Sequence, residues 1–154
     1  MATSKADGKS GPLTVVFADN DPIVLEAITE LLRTKGYEVH PTQDGLETLQ
    51  AIRRIHPDYV ILDIVMPKLD GLGLLRALQP EGDAITTVIL TAQGTIDTAV
   101  EAIKQGAYDY LSKPVDVRRL RILLEKLVER QARIREVTAL RRQLREHGSF
   151  GAMI

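Results

Sequence analysis

The sequence predicts an α/β protein, a doubly wound parallel sheet with helices on both faces, and three observations predict it. Short β-branched and aromatic runs at residues 13–18, 37–40, 59–63, 86–90 and 108–111 alternate with segments whose apolar residues recur at helical spacing. The strongest of these runs, Tyr59-Val60-Ile61-Leu62, is apolar at successive positions, as a strand covered on both faces of a parallel sheet is. Five β-then-α units in about a hundred residues also call for right-handed crossovers and two helical layers.

In chain order, residues 1–11 are small, polar and without periodicity, and read as a disordered leader. Leu13-Thr14-Val15-Val16-Phe17-Ala18 is the first strand, and it runs into Asp19-Asn20-Asp21-Pro22. Asp21 before Pro22 has the form of a helix cap with proline at the first helical position, and Ile23, Ala27 and Leu31 then mark the helix's apolar face. Gly36 ends that helix, Tyr37–His40 forms a second strand, and a helix from Leu46 to about Ile55 follows Asp44-Gly45. After the central strand, Pro67 stops regular structure. Asp70-Gly71 opens a helix through Leu74, Leu75 and Leu78, which Gln79-Pro80 closes. The fourth strand ends at Thr91-Ala92-Gln93-Gly94; its helix carries Ile96, Val100 and Ile103 and stops at Gly106. The fifth strand, Tyr108–Leu111, is closed by Ser112-Lys113-Pro114.

From Asp116 to about Glu146 nothing breaks a helix, and at 1.5 Å per residue it spans about 45 Å, longer than the sheet can cover. Leu120, Leu124, Leu127, Gln131 and Ile134 step by four and three as in a coiled-coil seam, which Val137, Leu140 and Leu144 continue after a shift of register. A lone solvated helix is the plainer alternative; apolar residues at this spacing favour a partner helix. The expected division is a globular domain over 12–125, a coiled-coil linker helix over 126–147, and the start of a further, truncated domain at 148–154.

Composition narrows the function. The chain has 154 residues, 44% hydrophobic and 27% charged, with a formal net charge of −1. That balance gives no general attraction to nucleic acid. Without cysteine there is neither a disulfide framework nor a thiolate zinc site. No stretch has the length of a membrane span, so the reading is a cytoplasmic protein with no membrane partner. A glycine-rich dinucleotide fingerprint is missing after the first strand.

The strand ends carry the chemistry. Asp19 and Asn20 follow the first strand, Asp63 ends the third, Thr91 the fourth, and Lys113 follows the fifth; the carboxyl ends of parallel strands converge where such sheets bind ligands. Asp63 alone could be an ordinary turn residue. Together, crowded carboxylates call for a cation, and Mg²⁺ takes such oxygens together with water and phosphate. Lysine can hold a phosphate oxygen as a point charge and threonine can donate to another. The chemistry this suits is phosphoryl transfer to Asp63.

On these residues the chain resembles the receiver domain of two-component response regulators over about residues 13–125. The likeness rests on the acidic pocket at Asp19, the phrase from Asp63 to Gly71, Leu90-Thr91-Ala92, and Tyr108–Pro114 in this order and spacing. It implies a flavodoxin-like (CheY-like) five-stranded sheet of order 2-1-3-4-5. It also implies Asp63 as phospho-acceptor, Asp19, Asn20, Asp63 and the Val65 backbone carbonyl around Mg²⁺, Thr91 and Lys113 on the phosphoryl group, and Thr91 with Tyr110 as the switch. A sensor histidine kinase is the implied phosphoryl donor, and the domain is a switch rather than an enzyme acting on outside substrates. Asn20 stands where the family has a second acid, which predicts weaker metal binding. The segments Thr91–Val100 and Gly106–Tyr110 look most like receivers of sigma-54-dependent (NtrC/DctD-like) transcription activators. DNA and sigma-54 polymerase would then be met only through output domains beyond this chain, with a homodimer through the C-terminal helix. The alternatives are a pseudo-receiver that pairs without phosphorylation and a receiver with another output. A haloacid-dehalogenase-type phosphatase expects an aspartate two residues after the nucleophile, where this chain has Val65. A flavodoxin-like cofactor binder expects a phosphate-cradling loop where this chain has acids.

Overall fold

The computed structural model of the chain describes residues 12–66, 68–78, 85–92 and 96–146. The expected leader, the stops at Pro67 and Gln79-Pro80, the turn at Gln93-Gly94 and residues 148–154 lie outside them.

Five strands, β1 (Thr14–Ala18), β2 (Glu38–Thr42), β3 (Tyr59–Asp63), β4 (Thr86–Thr91) and β5 (Asp109–Ser112), form one sheet in the order β2-β1-β3-β4-β5. All neighbours pair in parallel. Between them run α1 (Pro22–Thr34), α2 (Gly45–Ile55), α3 (Gly71–Leu78) and α4 (Ile96–Lys104), and α5 (Val117–Glu146) follows β5. β2 is shifted toward the pocket edge relative to the sequence expectation, and it admits Pro41 because it lies at the sheet's edge, where a missing N–H costs no ladder bond.

The period of two along each strand separates two cores. Val15, Phe17, Tyr59, Ile61, Val88, Leu90 and Leu111 face Leu25 and Leu32 of α1 and Leu120, Leu123, Leu124 and Leu127 of α5. Val16, Ala18, Val60, Leu62 and Ile89 face Ala51 and Ile52 of α2, the leucines of α3, and Ala102 of α4. Helix starts are fixed by carboxylates: Asp21 accepts from the Ile23 N–H, Asp44 from Glu47, Asp70 from Gly73 and Asp116 from Arg118. Gly36 and Gly106, at φ 93° and 112°, turn the chain out of α1 and α4 in left-handed geometry, each beside a bond from the following amide back to Leu32 or Ala102.

Three helical faces differ from expectation. On α1 the buried residues are Leu25, Thr29 and Leu32, whereas Ile23 is 79% exposed. The helix carries two overlapping apolar stripes, and the one aligned with Leu25 is the one the sheet covers. On α4 the buried residues are Ala99 and Ala102, with Val100 and Ile103 exposed, because the small alanines let the helix approach the sheet closely. On α5 the supposed seam does not leave the globule. Leu120, Leu124, Leu127 and Gln131 are buried within the same chain, and packing continues to Arg135, ten residues past the boundary expected at 125. Only past that point do Val137, Leu140 and Leu144 lie exposed. Among the described residues no helix is long and apolar enough to cross a membrane.

Candidate functional site

The parallel register brings the strand ends to one edge. Ala18 pairs with both Leu62 and Thr42, Asp63 with Leu90, and Thr91 with Ser112. The ladder runs on past the strands: Asp19 N–H donates to the Thr42 carbonyl at 3.1 Å, Ile64 to Leu90 at 3.0 Å, and Lys113 to Thr91 at 2.7 Å. Asp19, Asp63, Thr91 and Lys113 therefore occupy neighbouring places along the C-terminal edge.

Lys113 joins the two carboxylates. Its Nζ lies 2.7 Å from Asp19 Oδ2 and 3.1 Å from Asp63 Oδ2. Asp19 and Asp63 are buried, whereas the lysine reaches solvent in part. Burial alone would lower the lysine's pKa, but the Asp19 and Asp63 carboxylates outweigh it and hold the group above the ordinary ammonium value. The other carboxylate oxygens take backbone donors: Asp21 N–H meets Asp19 Oδ1 at 2.8 Å, and Val65 N–H meets Asp63 Oδ1 at 3.1 Å. Each acid is thus oriented by the amide two residues on, in an Asx turn.

Of the predicted residues, Asp19, Asp63 and Lys113 are in direct contact. Thr91 is buried at the neighbouring strand end, its carbonyl accepting from Lys113. Asn20 is exposed beside Asp19, and Asp21 is committed to capping α1. Val65 is 67% exposed, so its carbonyl lies in a loop open to solvent. Tyr110 is half-buried three residues before Lys113 and packs on the α2–α3–α4 side of the sheet.

The fit to Mg²⁺ can be judged from the donors. Asp19 Oδ2 is fully buried with the Lys113 ammonium 2.7 Å away as its charged partner, and a carboxylate oxygen of this kind is one that a hard cation takes. Asp63, the Asn20 amide and the Val65 carbonyl would complete an all-oxygen set. Among the described residues no three His, Cys, Asp or Glu side chains gather as a metal cluster, and the pocket's acidic charge comes from two residues. The donors suit Mg²⁺ in kind, with one charge fewer than three acids would give.

Sequence reasoning missed the amides of Asp21 and Val65, because a backbone donor leaves no mark in residue identity. It also missed Lys68, which bridges to Asp44 at 3.5 Å and ties the loop after β3 to the start of α2. The same approach of the two segments explains Gly45, where a Cβ would run into the Leu69 carbonyl oxygen.

A family model of the response regulator receiver domain matches residues 15–125. The chain is 37% identical to the response regulator MprA of Mycobacterium sp. (strain KMS) over 119 residues, 77% of this chain and 52% of the relative. It is 28% identical over 140 residues to the regulatory protein AtoC of Escherichia coli (strain K12), covering 91% of this chain and 30% of the relative. A receiver domain protein from Clostridium thermocellum superposes with a TM-score of 0.74 at 31% identity, over 79% of this chain and 98% of that one. NtrX from Brucella abortus does so with a TM-score of 0.76 at 32% identity, over 82% of this chain and 29% of that one. A parallel sheet of this order, with an acid pair bridged by lysine at its carboxyl edge, is the architecture of a response regulator receiver domain. The chain belongs to the response regulator receiver family and is the receiver domain of a two-component response regulator. It spans about half the length of the MprA relatives that it matches.

Proposed function

We propose that Asp63 is the phospho-acceptor, phosphorylated by a sensor histidine kinase. The observation that carries this is the single ammonium of Lys113 touching both Asp19 Oδ2 and Asp63 Oδ2. Asp63 uses one carboxylate oxygen to form the new P–O bond as the bond from phosphorus to the donor's leaving group breaks. With acetyl phosphate the products are the Asp63 acyl phosphate and acetate. Lys113, already placed against Asp63 Oδ2, pairs with the transferring group's negative charge, and the Val65 N–H holds the carboxylate's orientation. Asp19, Asn20, Asp63 and the Val65 carbonyl are the proposed Mg²⁺ ligands; the ion, when bound, supplies additional positive charge to the phosphoryl oxygens. Thr91 contacts the phosphoryl group, and Thr91 with Tyr110 carries its presence toward the α4–β5–α5 side.

A sigma-54-dependent transcription activator is the proposed whole protein, acting in the cytoplasm. Support comes from the Thr91–Val100 and Gly106–Tyr110 segments and from the likeness to AtoC and NtrX, whose chains extend well beyond the part that this chain matches. The proposed domain plan keeps an output domain after residue 147, through which DNA and polymerase would be met. A second copy of the chain is the proposed partner of α5, where Val137, Leu140 and Leu144 are exposed.

The pseudo-receiver reading has one observation in its favour, the uncharged and exposed Asn20 beside a pocket with two acids. One experiment decides between them. Incubation with acetyl phosphate and Mg²⁺ should add the mass of one phosphoryl group, and Asp63→Asn should abolish the gain. An unchanged mass under conditions that label other receivers, or a gain that survives Asp63→Asn, refutes the phospho-acceptor reading.

A further inference from the structure

The two loops that carry the proposed Mg²⁺ ligands are joined beside the pocket by the start of α2. On one side, Asp19 N–H donates to the Thr42 carbonyl at 3.1 Å. Thr42 and Thr48 are buried, with their hydroxyl oxygens 2.6 Å apart. Thr48 Oγ1 donates to the Asp44 carbonyl at 2.7 Å, which spends its single proton, so Thr42 is the donor between the two hydroxyls. On the other side, Asp44 divides its carboxylate. Its Oδ1 takes the Glu47 N–H at 2.8 Å and caps the helix, while its Oδ2 meets the Lys68 ammonium at 3.5 Å. Lys68 lies three residues after Val65, whose own N–H orients Asp63. A polar path thus runs from Asp19 through Thr42, Thr48 and Asp44 to the loop after β3.

The backbone at Lys68 shows that its side chain matters. Its φ is 71°, left-handed geometry that glycine adopts freely and that a Cβ disfavours. The side chain is exposed, and its one charged partner among the described residues is Asp44. Where glycine would be the easier residue, lysine brings only its ammonium. The helix start also lies directly against the Leu69 backbone, so a shift of this loop and a shift of α2 are not independent.

We propose that Lys68 is a positioning residue for the metal site: its ion pair with Asp44 braces the loop after β3 on α2 and so sets the Val65 carbonyl relative to Asp19. The inference rests on the reading of those two groups as Mg²⁺ ligands. Metal affinity depends on how firmly ligands are held as well as on their kind, because the partners behind them fix their orientation. Two of the proposed oxygens, the Asn20 amide and the Val65 carbonyl, bring no formal charge, so placement counts for more here. Charge and position predict opposite signs. Lys68 is a cation near a cation site, so its removal would tighten Mg²⁺ if charge alone acted, whereas loss of the brace loosens it.

The test uses the whole chain as wild type, as Lys68→Gly, which suits the left-handed backbone and removes the ammonium, and as Lys68→Arg, which keeps a cation within reach of Asp44. Mg²⁺ is titrated by NMR. Amide exchange is followed in the metal-free chain at Val65 and at Gly71, whose N–H closes the loop on the Ile64 carbonyl at 2.9 Å. Lys68→Gly is expected to bind Mg²⁺ roughly three- to fivefold more weakly and to exchange those two amides faster by a similar factor, the reach of an exposed ion pair. Lys68→Arg should stay close to wild type in both. Equal or tighter Mg²⁺ binding in Lys68→Gly overturns the brace, as does unchanged amide exchange, and so does a Lys68→Arg chain that behaves like Lys68→Gly. A wild-type chain that takes up no Mg²⁺ overturns the ligand reading and the inference with it. That outcome shows in the wild type alone, which separates it from a failure of Lys68.

Discussion

Replacing Lys113 with methionine keeps the length of the aliphatic stem and removes the ammonium that touches both acids. Two oxygens that each contact one Nζ, at 2.7 and 3.1 Å, lie within about 6 Å of one another. At about 6 Å and an effective dielectric of about 20, two unit charges repel by about 3 kcal/mol. Loss of one partner from a buried ion pair gives a similar figure, roughly 3–5 kcal/mol. Lys113→Met is therefore expected to lose about 3 kcal/mol in urea unfolding at neutral pH. Part of that loss should return on adding Mg²⁺, since the divalent cation and the lysine answer the same two carboxylates. At a hundredfold excess over its Kd, a ligand that binds only the folded form contributes about 2.7 kcal/mol. The lysine also carries the pH dependence. Its folded pKa is raised, so its contribution is fully present below the ordinary lysine value and is lost as pH rises through the folded value. On the alkaline side the curves of wild type and variant should thus converge only at strongly alkaline pH. A midpoint within about 1 kcal/mol of wild type, with no response to Mg²⁺, would refute the view that Lys113 neutralises the pair.

Asn20→Asp should bind Mg²⁺ several-fold more tightly than wild type in calorimetric titration, because a second charged oxygen joins Asp19 at the pocket mouth; equal affinities would mean that Asn20 is no ligand. Burial pushes the Tyr37 phenol up to about 12, and burial raises Tyr59 as well. Both stay protonated in the folded chain after the unfolded one has ionised, so stability should fall between about pH 10 and 12, by about 1.4 kcal/mol per pH unit for Tyr37 alone. Tyr37→Phe should flatten that slope in unfolding curves taken across the range, and an unchanged slope would count against it. Gly45→Ala should destabilise by about 1–3 kcal/mol in thermal unfolding, since its Cβ meets the Leu69 backbone rather than a movable side chain; a neutral result would place the loop after β3 away from α2.

The sheet was legible because each central strand is apolar at successive positions, and a run such as Tyr59–Leu62 has no other comfortable place in a small domain. Asp19, Asp63, Thr91 and Lys113 were legible for the same reason: once strands are parallel, the polar residue that ends each run falls at one edge. The phase of α1 was not. Pro-Ile-Val-Leu supplies apolar residues to several faces, and the choice of Leu25 over Ile23 is made by the direction in which the crossover lays the helix on the sheet. α4 misled in the opposite way, since Val100 and Ile103 are outside and Ala99 and Ala102 inside. The orienting amides of Asp21 and Val65 belong to the backbone, which every sequence shares.

For α5 the apolar stripe was legible and the sheet that covers its first half was not, because steps of three and four describe a helix stripe without saying what covers it. Energetics decides. Leu120, Leu123, Leu124 and Leu127 are almost fully buried against the sheet, and at about 1.5–3 kcal/mol each they hold α5 by roughly 6–12 kcal/mol before any polar contact is counted. A second copy would have to replace that burial and also meet the translational and rotational cost of association, which docking within one chain does not incur. Past Arg135 the sheet no longer reaches the helix, and the exposed stripe is short: Val137, Leu140 and Leu144 over about two turns. Pairing through that stripe alone is weak by the same arithmetic, since three half-exposed side chains bury too little to offset association. Strong pairing of this chain would therefore require the leucines now facing the sheet, and pairing that leaves the fold intact is confined to the stripe past Arg135.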